Sequence, residues 1–386
     1  MVTAIRILAV VFALLLLAAS SMQQQRFPSA GGKPRRLDAG IEWKRDAAGE
    51  LRYKRAPEAA AGAAGTSALP AIRVEVNLVE IHVTVTGPDG AYLLGLQADD
   101  FRLFEDGVEQ ALAHFDASTR PASVALLLDA SPSVFRELAE IKRAARALAG
   151  RLAPQDEVAV VALADQVHLL LPFSSDRALL DKAVEAVELL RGTGLSPGSR
   201  IYEAVYLAGR ELFGGRTGRK AIVLLTDGQD SSLGLSWDPA SALPRPAEPD
   251  RLTFEDVCRT LAAEGIEAHV ISALTRPKVL TEEWLASATR GRFLARARAL
   301  EIPHYTAYLA ELVRTVGGRL YFLREPGTLE QVYQRIAESV RAQYTLGYYP
   351  SAGVSRPGWR EVRIELPRRP QVQVVHRTAY YVPARQ

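Results

Sequence analysis

The sequence is short of the residues on which most cofactor and covalent chemistry depends. Among its 386 residues there is one cysteine, Cys258, so neither a disulfide framework nor a thiolate cluster for zinc or iron–sulfur can form within one chain. The histidines (His82, His114, His168, His269, His304 and His376) are dispersed, and none stands as an evident general base. The stretch GGRTGRK from Gly214 to Lys220 precedes its strand and lacks the glycine spacing of a phosphate loop, so it reads as a basic turn. Charge of one sign is also scarce. With 47 Lys and Arg against 44 Asp and Glu, the net charge of +3 is too small for a nucleic-acid surface. The local surplus lies in residues 21–70, which carry nine basic and five acidic side chains.

A long hydrophobic run is missing as well. The apolar stretch Ile7 to Ala19 has 13 residues, short of the roughly 18 to 20 that a spanning helix needs. With Arg6 before it and small residues at Ala18 and Ser20, residues 1–20 have the layout of a cleaved secretory signal peptide, an uncleaved N-terminal anchor being the alternative. No cysteine follows that could carry a lipid. The expectation is a secreted or periplasmic protein without a membrane span after cleavage, in which Cys258 is a buried free thiol, an intermolecular disulfide partner being the alternative.

What is present is a globular composition, 48% hydrophobic and 24% charged, on a chain long enough for two or three domains. Residues 21–70 are rich in Ala, Gly, Pro and Arg and read as a flexible linker. From Ile72 to Thr86 apolar and polar residues alternate, with a phase slip near Val79 and Glu80 that suggests a bulge. Asp106-Gly107 sits between two alternating runs as a hairpin turn, so residues 71–120 form a β segment. Over residues 121–342 short apolar strands (SVALLLD, EVAVVALAD, KAIVLLTDG, IEAHVISA, RLYFL) alternate with amphipathic helices. That rhythm predicts an α/β fold, a doubly wound and mostly parallel sheet covered on both faces. Two insertions, residues 233–251 and 276–304, follow strands and are expected to rim the sheet's C-terminal edge. Residues 343–386 return to β. Three strands are too few to stand alone, so they are expected to pair with residues 71–120 in a β-sandwich-like unit, the alternative being two separate small sheets. The tyrosines Tyr344, Tyr348, Tyr349, Tyr380 and Tyr381 read as cross-strand packing.

One set of residues carries chemistry. Strand SVALLLD ends at Asp129, and the loop Asp129-Ala130-Ser131-Pro132-Ser133 offers oxygens at alternate positions. AIVLLTD delivers Asp227 to the same edge, followed by Gly228, and Gly198-Ser199 adds a hydroxyl before a helix. Two carboxylates and three hydroxyls make a hard, oxygen-only set suited to Mg²⁺ or Mn²⁺. Taken singly, Ser131 or Ser133 is an ordinary helix cap; the whole set in this order points to a metal.

D-x-S-x-S at the first α/β strand end, a hydroxyl loop and a later T-D-G resemble the metal ion-dependent adhesion site of von Willebrand factor type A domains. The flanks GLQADDFRLFEDGVEQ, YTLGYYP and AYYVP look like the VWFA-related domain family abundant in Acidobacteria, and the likeness spans residues 72–384. The resemblance implies that Ser131 and Ser133 bind the metal directly, Asp129 and Asp227 largely through waters, and that Ser199 stands where the family usually has Thr. It further implies a non-enzymatic binding module whose protein partner supplies an Asp or Glu carboxylate as the sixth ligand. Pro132, Ser199 and Arg200 depart from the usual pattern, Arg200 as a cation beside a cation site. The other readings are a metal-dependent hydrolase of phosphoesters and a structural envelope protein with a vacant site.

Overall fold

The structure, a computed structural model, describes residues 34–46, 49–55, 78–117, 120–190, 199–235, 250–281, 284–285, 292–323, 329–341, 343–351 and 357–382. The expected signal peptide and the first half of the Ile72 to Thr86 run lie outside these residues.

A seven-stranded sheet forms the centre. Its strands are β1 (Arg35–Arg36), β8 (Ala122–Asp129), β9 (Glu157–Leu163), β10 (Val167–Ser174), β11 (Arg219–Thr226), β12 (Ile266–Ser272) and β13 (Leu320–Phe322), in the order β1-β10-β9-β8-β11-β12-β13. The five strands from β9 to β13 across β8 run parallel. Every residue of β8 is buried, as expected of a central strand covered on both faces, which is why it reads as an unbroken apolar run. One face packs on helices α1 (Leu138–Arg151), α2 (Arg177–Ala186) and α7 (Leu329–Arg341), through Ile141, Leu148, Val184 and Tyr333. The other packs on α3 (Ile201–Glu211), α4 (Phe254–Glu264) and α6 (His304–Val316), through Tyr202, Val205, Leu261 and Leu309. The hairpin strand β10 pairs antiparallel with β9 and extends the parallel set, an element that the alternation of strands and helices does not signal.

The reading of residues 21–70 as a flexible linker is corrected for residues 34–55. There β1 extends the sheet against β10, and β2 (Ile41–Arg45) and β3 (Leu51–Arg55) form a hairpin lying on the α/β unit. Leu37 and Leu51 enter the main core, with Ile41, Trp43 and Tyr53 packed against it. Charged contacts hold the hairpin in addition to apolar ones. Glu211 at the end of α3 accepts from Arg35 (2.9 Å), Tyr53 (3.0 Å) and Arg55, while Arg45 donates twice to Asp256, at 2.9 and 2.6 Å. A segment poor in large apolar residues is thus ordered by ion pairs whose partners lie about 150 to 200 positions away, beyond the reach of a local pattern.

The chain ends build a second unit of two four-stranded sheets. One has the order β16-β4-β14-β7, from β4 (Val79–Thr86), β7 (Leu112–Asp116), β14 (Gln343–Tyr348) and β16 (Gln373–His376). The other has the order β17-β15-β5-β6, from β5 (Arg102–Glu105), β6 (Val108–Gln110), β15 (Gly358–Glu365) and β17 (Ala379–Val382). Strands from the two chain ends alternate in the first sheet, and in the second the C-terminal pair β17-β15 joins the N-terminal pair β5-β6 through β15 and β5. Between β5 and β6 the turn residues Asp106 and Gly107 both take positive φ, 48° and 83°, the conformation that a tight two-residue hairpin requires. The run VQVVHRTAYYVP, one strand by pattern, crosses from one sheet to the other at Arg377-Thr378. That crossing is fastened to the α/β unit by Arg377, which donates to the Ala262 carbonyl (2.9 Å), and by Thr378, which donates through its N–H and hydroxyl to the Arg314 carbonyl, while Arg377 also donates to the Glu80 carbonyl of β4 (2.7 Å). Among the tyrosines, Tyr344 stacks with Phe115, and Tyr348 and Tyr380 both donate to the buried Glu105 carboxylate, at 2.6 and 2.8 Å.

The second insertion does more than rim an edge. Leu280, Trp284, Phe293 and Ala297 enter the core, with Phe293 and Ala297 carried on the short helix α5 (Phe293–Ala299), and Arg314 of α6 lies over the Phe293 ring at 4.6 Å. Most of the first insertion, residues 236–249, lies outside the described residues.

Candidate functional site

At the C-terminal edge of the sheet, β8 and β11 end side by side, and their last residues supply the floor of the site. Asp129 is fully buried. Its Oδ1 accepts from the Ser131 backbone N–H (2.9 Å) and the Ser199 hydroxyl (2.8 Å), and its Oδ2 accepts from the Thr226 hydroxyl (2.7 Å). Ser131 and Ser133 share a hydrogen bond between their hydroxyls at 3.0 Å, with Ser131 buried and Ser133 exposed. Pro132 opens a short 3-10 turn, Pro132–Glu137, which leads into α1 and leaves the Ser131 and Ser133 oxygens on the same side of the loop.

Asp227 follows Thr226 and is 4% exposed. Its carboxylate accepts from the Gln229 backbone N–H (3.0 Å) and side chain (3.2 Å), and no hydrogen bond joins it to the serines among the described residues. It acts on Asp129 through space. Burial above all, and the neighbouring Asp227 charge in addition, push the Asp129 carboxyl up to about 6, against the opposing pull of Ser131 and Thr226. Gly228 is required where it stands. Its φ is +82°, and a Cβ there would lie 2.8 Å from Leu309 Cδ1 and 3.4 Å from the Tyr305 carbonyl, so only glycine lets α6 close against this loop.

The structure thus brings Asp129, Ser131, Ser133 and Ser199 into one hydrogen-bonded group, with Asp227 adjacent. Arg200, the cation of concern beside it, is turned to Glu203, to which it donates through Nε (2.5 Å) and Nη2. Its charge is thereby neutralised one turn into α3.

Two residues escaped the sequence reading. Thr226 was read only as part of a motif, yet it holds Asp129 and also accepts from the Gly228 N–H at 3.0 Å. Asp230 was not singled out. Its Oδ1 accepts from the Tyr202 N–H (3.2 Å) and the Ser232 hydroxyl (2.7 Å), and its Oδ2 from the Leu233 N–H (2.7 Å). It fastens the start of α3, and with it Ser199, to the loop after β11; the Ser231 N–H donates to the Ser199 carbonyl at 2.9 Å beside it. The usable signal was an acid three positions after Asp227, ahead of a run of serines.

The donor set is oxygen only. Among the described residues, no group of three or more His, Cys, Asp and Glu side chains gathers anywhere, so a metal here would rest on hydroxyls and two carboxylates. These fit a hard divalent cation: a fully buried carboxylate with no cationic side chain among its hydrogen-bond donors, a second carboxylate beside it, and three serine hydroxyls within the same loop cluster.

A family model described as the von Willebrand factor type A domain matches residues 124–229. A search of curated proteins finds none that matches. Among solved structures, an aerotolerance-related membrane protein from Bacteroides fragilis is 17% identical, with a TM-score of 0.37, covering 57% of this chain and 98% of that one. The vWF domain of the type V pili tip protein Mfa5 from Porphyromonas gingivalis is 13% identical, with a TM-score of 0.37, covering 58% of this chain and 96% of that one. Proximal thread matrix protein 1 from the mussel byssus, in a form described with a zinc-occupied MIDAS motif, is 15% identical, with a TM-score of 0.35, covering 60% of this chain and 48% of that one. Residues 124–229, which lie in the α/β unit at whose strand ends Asp129 and Asp227 meet, are thus similar to the von Willebrand factor type A domain.

Proposed function

We propose that the protein is a secreted or periplasmic, non-enzymatic binding module that grips an acidic residue of a protein partner through a divalent cation, Mg²⁺ or Mn²⁺. Asp129, Ser131, Ser133, Ser199 and Asp227 would hold the ion. The observation that carries this reading is the Asp129 carboxylate, fully buried and met by Ser131, Ser199 and Thr226 but by no cationic side chain among them. A bound divalent ion would supply the missing positive charge and attract an outside carboxylate in a partly desolvated cleft. The chain's own part is positional. Thr226 orients Asp129, Asp230 holds the Ser199 loop in place, and the Arg200 pair with Glu203 keeps a competing cation occupied. Among the described residues no helix is long and apolar enough to cross a membrane.

Thermal unfolding in EDTA, Mg²⁺ or Mn²⁺, for the native chain beside Asp129→Ala and Ser131→Ala, tests the metal step. Stabilisation that grows with free metal and vanishes in both variants supports the site by linkage. A metal-dependent pull-down on a carboxylate-bearing matrix then tests the partner step. Equal unfolding of all three proteins at every metal concentration overturns the reading.

A further inference from the structure

Away from the strand-end site, a cleft of about 270 Å³ opens where three distant parts of the chain meet. Glu50, Leu51 and Arg52 line it from the N-terminal hairpin, Tyr206 and Arg210 from α3, Asp256, Arg259, Thr260 and Ala263 from α4, and Tyr381 from β17. The volume lies just below the range of ordinary small-molecule pockets, so the occupant is small.

The charges of this cleft are unequally engaged. Three guanidiniums face two carboxylates, and Asp256 is already held by both terminal nitrogens of Arg45 and by the N–H and hydroxyl of Thr253. Arg52 is taken by Asp46 at 2.9 Å, with Glu50 at 4.0 Å. Arg259 pairs with Glu255 (3.2 Å) and lies over the Tyr381 ring at 4.7 Å, which fixes its guanidinium against an aromatic wall. Arg210 is different: it is exposed and makes no hydrogen bond or ion pair with a carboxylate among the described residues. One unclaimed guanidinium therefore stands in a concave site beside an immobilised one, with Leu51, Ala263 and the Tyr381 ring as apolar wall.

We propose that this cleft binds a small organic anion, whose carboxylate or phosphate group is taken by Arg210 and whose carbon skeleton rests on Leu51, Ala263 and Tyr381. A planar, bidentate anion suits a guanidinium better than it suits any other cation in the protein. Because the walls come from the hairpin, the α/β unit and the last strand, an occupant ties the three together, and its binding is read as stability.

The test uses the full chain, with sodium benzoate and inorganic phosphate titrated separately at constant ionic strength and thermal unfolding as readout. Native protein is compared with Arg210→Gln, which breaks no ion pair among the described residues, and with Arg368→Gln, a change at an exposed position in the turn after β15. The expected result is saturable stabilisation by at least one probe, weakened about tenfold or more in Arg210→Gln and unchanged in Arg368→Gln. Saturation by benzoate alone assigns a carboxylate ligand, and saturation by phosphate alone assigns a phosphoryl ligand. Stabilisation that never saturates, that is absent, or that is equal in Arg210→Gln and native protein overturns the proposal.

Discussion

Replacing Asp230 with alanine is the sharpest probe of how the strand-end site is held together. The native carboxylate receives the Tyr202 and Leu233 N–H groups and the Ser232 hydroxyl, at 3.2, 2.7 and 2.7 Å. Alanine removes a helix-start acceptor, which costs about 1 kcal/mol, and leaves a largely buried amide and a hydroxyl without partners, each costing about 1 kcal/mol or more. Water recovers part of this, so a total near 3 kcal/mol is expected. The loss is local before it is global. Amide hydrogen exchange over residues 199–204 should accelerate by roughly two orders of magnitude, while the amides of β8 and β12 keep their protection. Freed from the loop, Ser199 no longer meets Asp129 at a fixed 2.8 Å, and metal-dependent stabilisation should weaken in parallel. Asp230→Asn keeps one acceptor oxygen and should cost about half as much. If the alanine variant exchanges like native protein, or if asparagine costs as much as alanine, the anchoring role assigned to Asp230 is refuted.

Other expectations follow from the same contacts. Glu211→Gln weakens the hold on Arg35, Tyr53 and Arg55, so limited proteolysis should cut within residues 34–55 much faster while the remaining fragment survives. Glu105→Ala strips the Tyr348 and Tyr380 hydroxyls of a shared buried acceptor and should cost about 2 to 4 kcal/mol in urea unfolding, with Tyr348→Phe and Tyr380→Phe coupled in a double-mutant cycle rather than additive. His376, packed in β16, is pushed down to about 4 by burial, against an ordinary value near 6.5. The unfolded chain therefore takes up its proton first as pH falls, and the stability that the neutral ring contributes, complete above about pH 6.5, is lost between there and about pH 4. At about 1.4 kcal/mol per unit of pKa, the span is roughly 3 kcal/mol, and His376→Gln should flatten the stability profile in that window; an unchanged slope would count against it.

The alternation of buried strands and amphipathic helices over residues 121–342 was legible because each element's period is local. β8 is apolar from Val124 to Leu128 because both faces are covered, and Asp129, itself fully buried, stands at its end where the chain leaves the sheet. The order of Asp129, Ser131, Ser133, Ser199 and Asp227 along the chain, with Ser199 ahead of α3 and the other four at a strand end or in the stretch after it, was likewise open to reading. The antiparallel strand β10 was not, since Val167–Ser174 has the same apolar signature as a parallel strand and nothing local states its direction. Nor was the order of residues 34–55, whose fixation rests on Glu211 and Asp256 far along the chain.

By itself, then, the sequence determined the fold class of the central unit and the chemical character of its site, because periodicity and residue type are carried by neighbours along the chain. Only the tertiary structure decided that Arg200 turns to Glu203, that Thr226 and Asp230 complete the support of the site, and that the hairpin, α3, α4 and β17 enclose a cleft. Each of these depends on which long-range partner reaches a charge or an amide first, and that is settled by packing and desolvation.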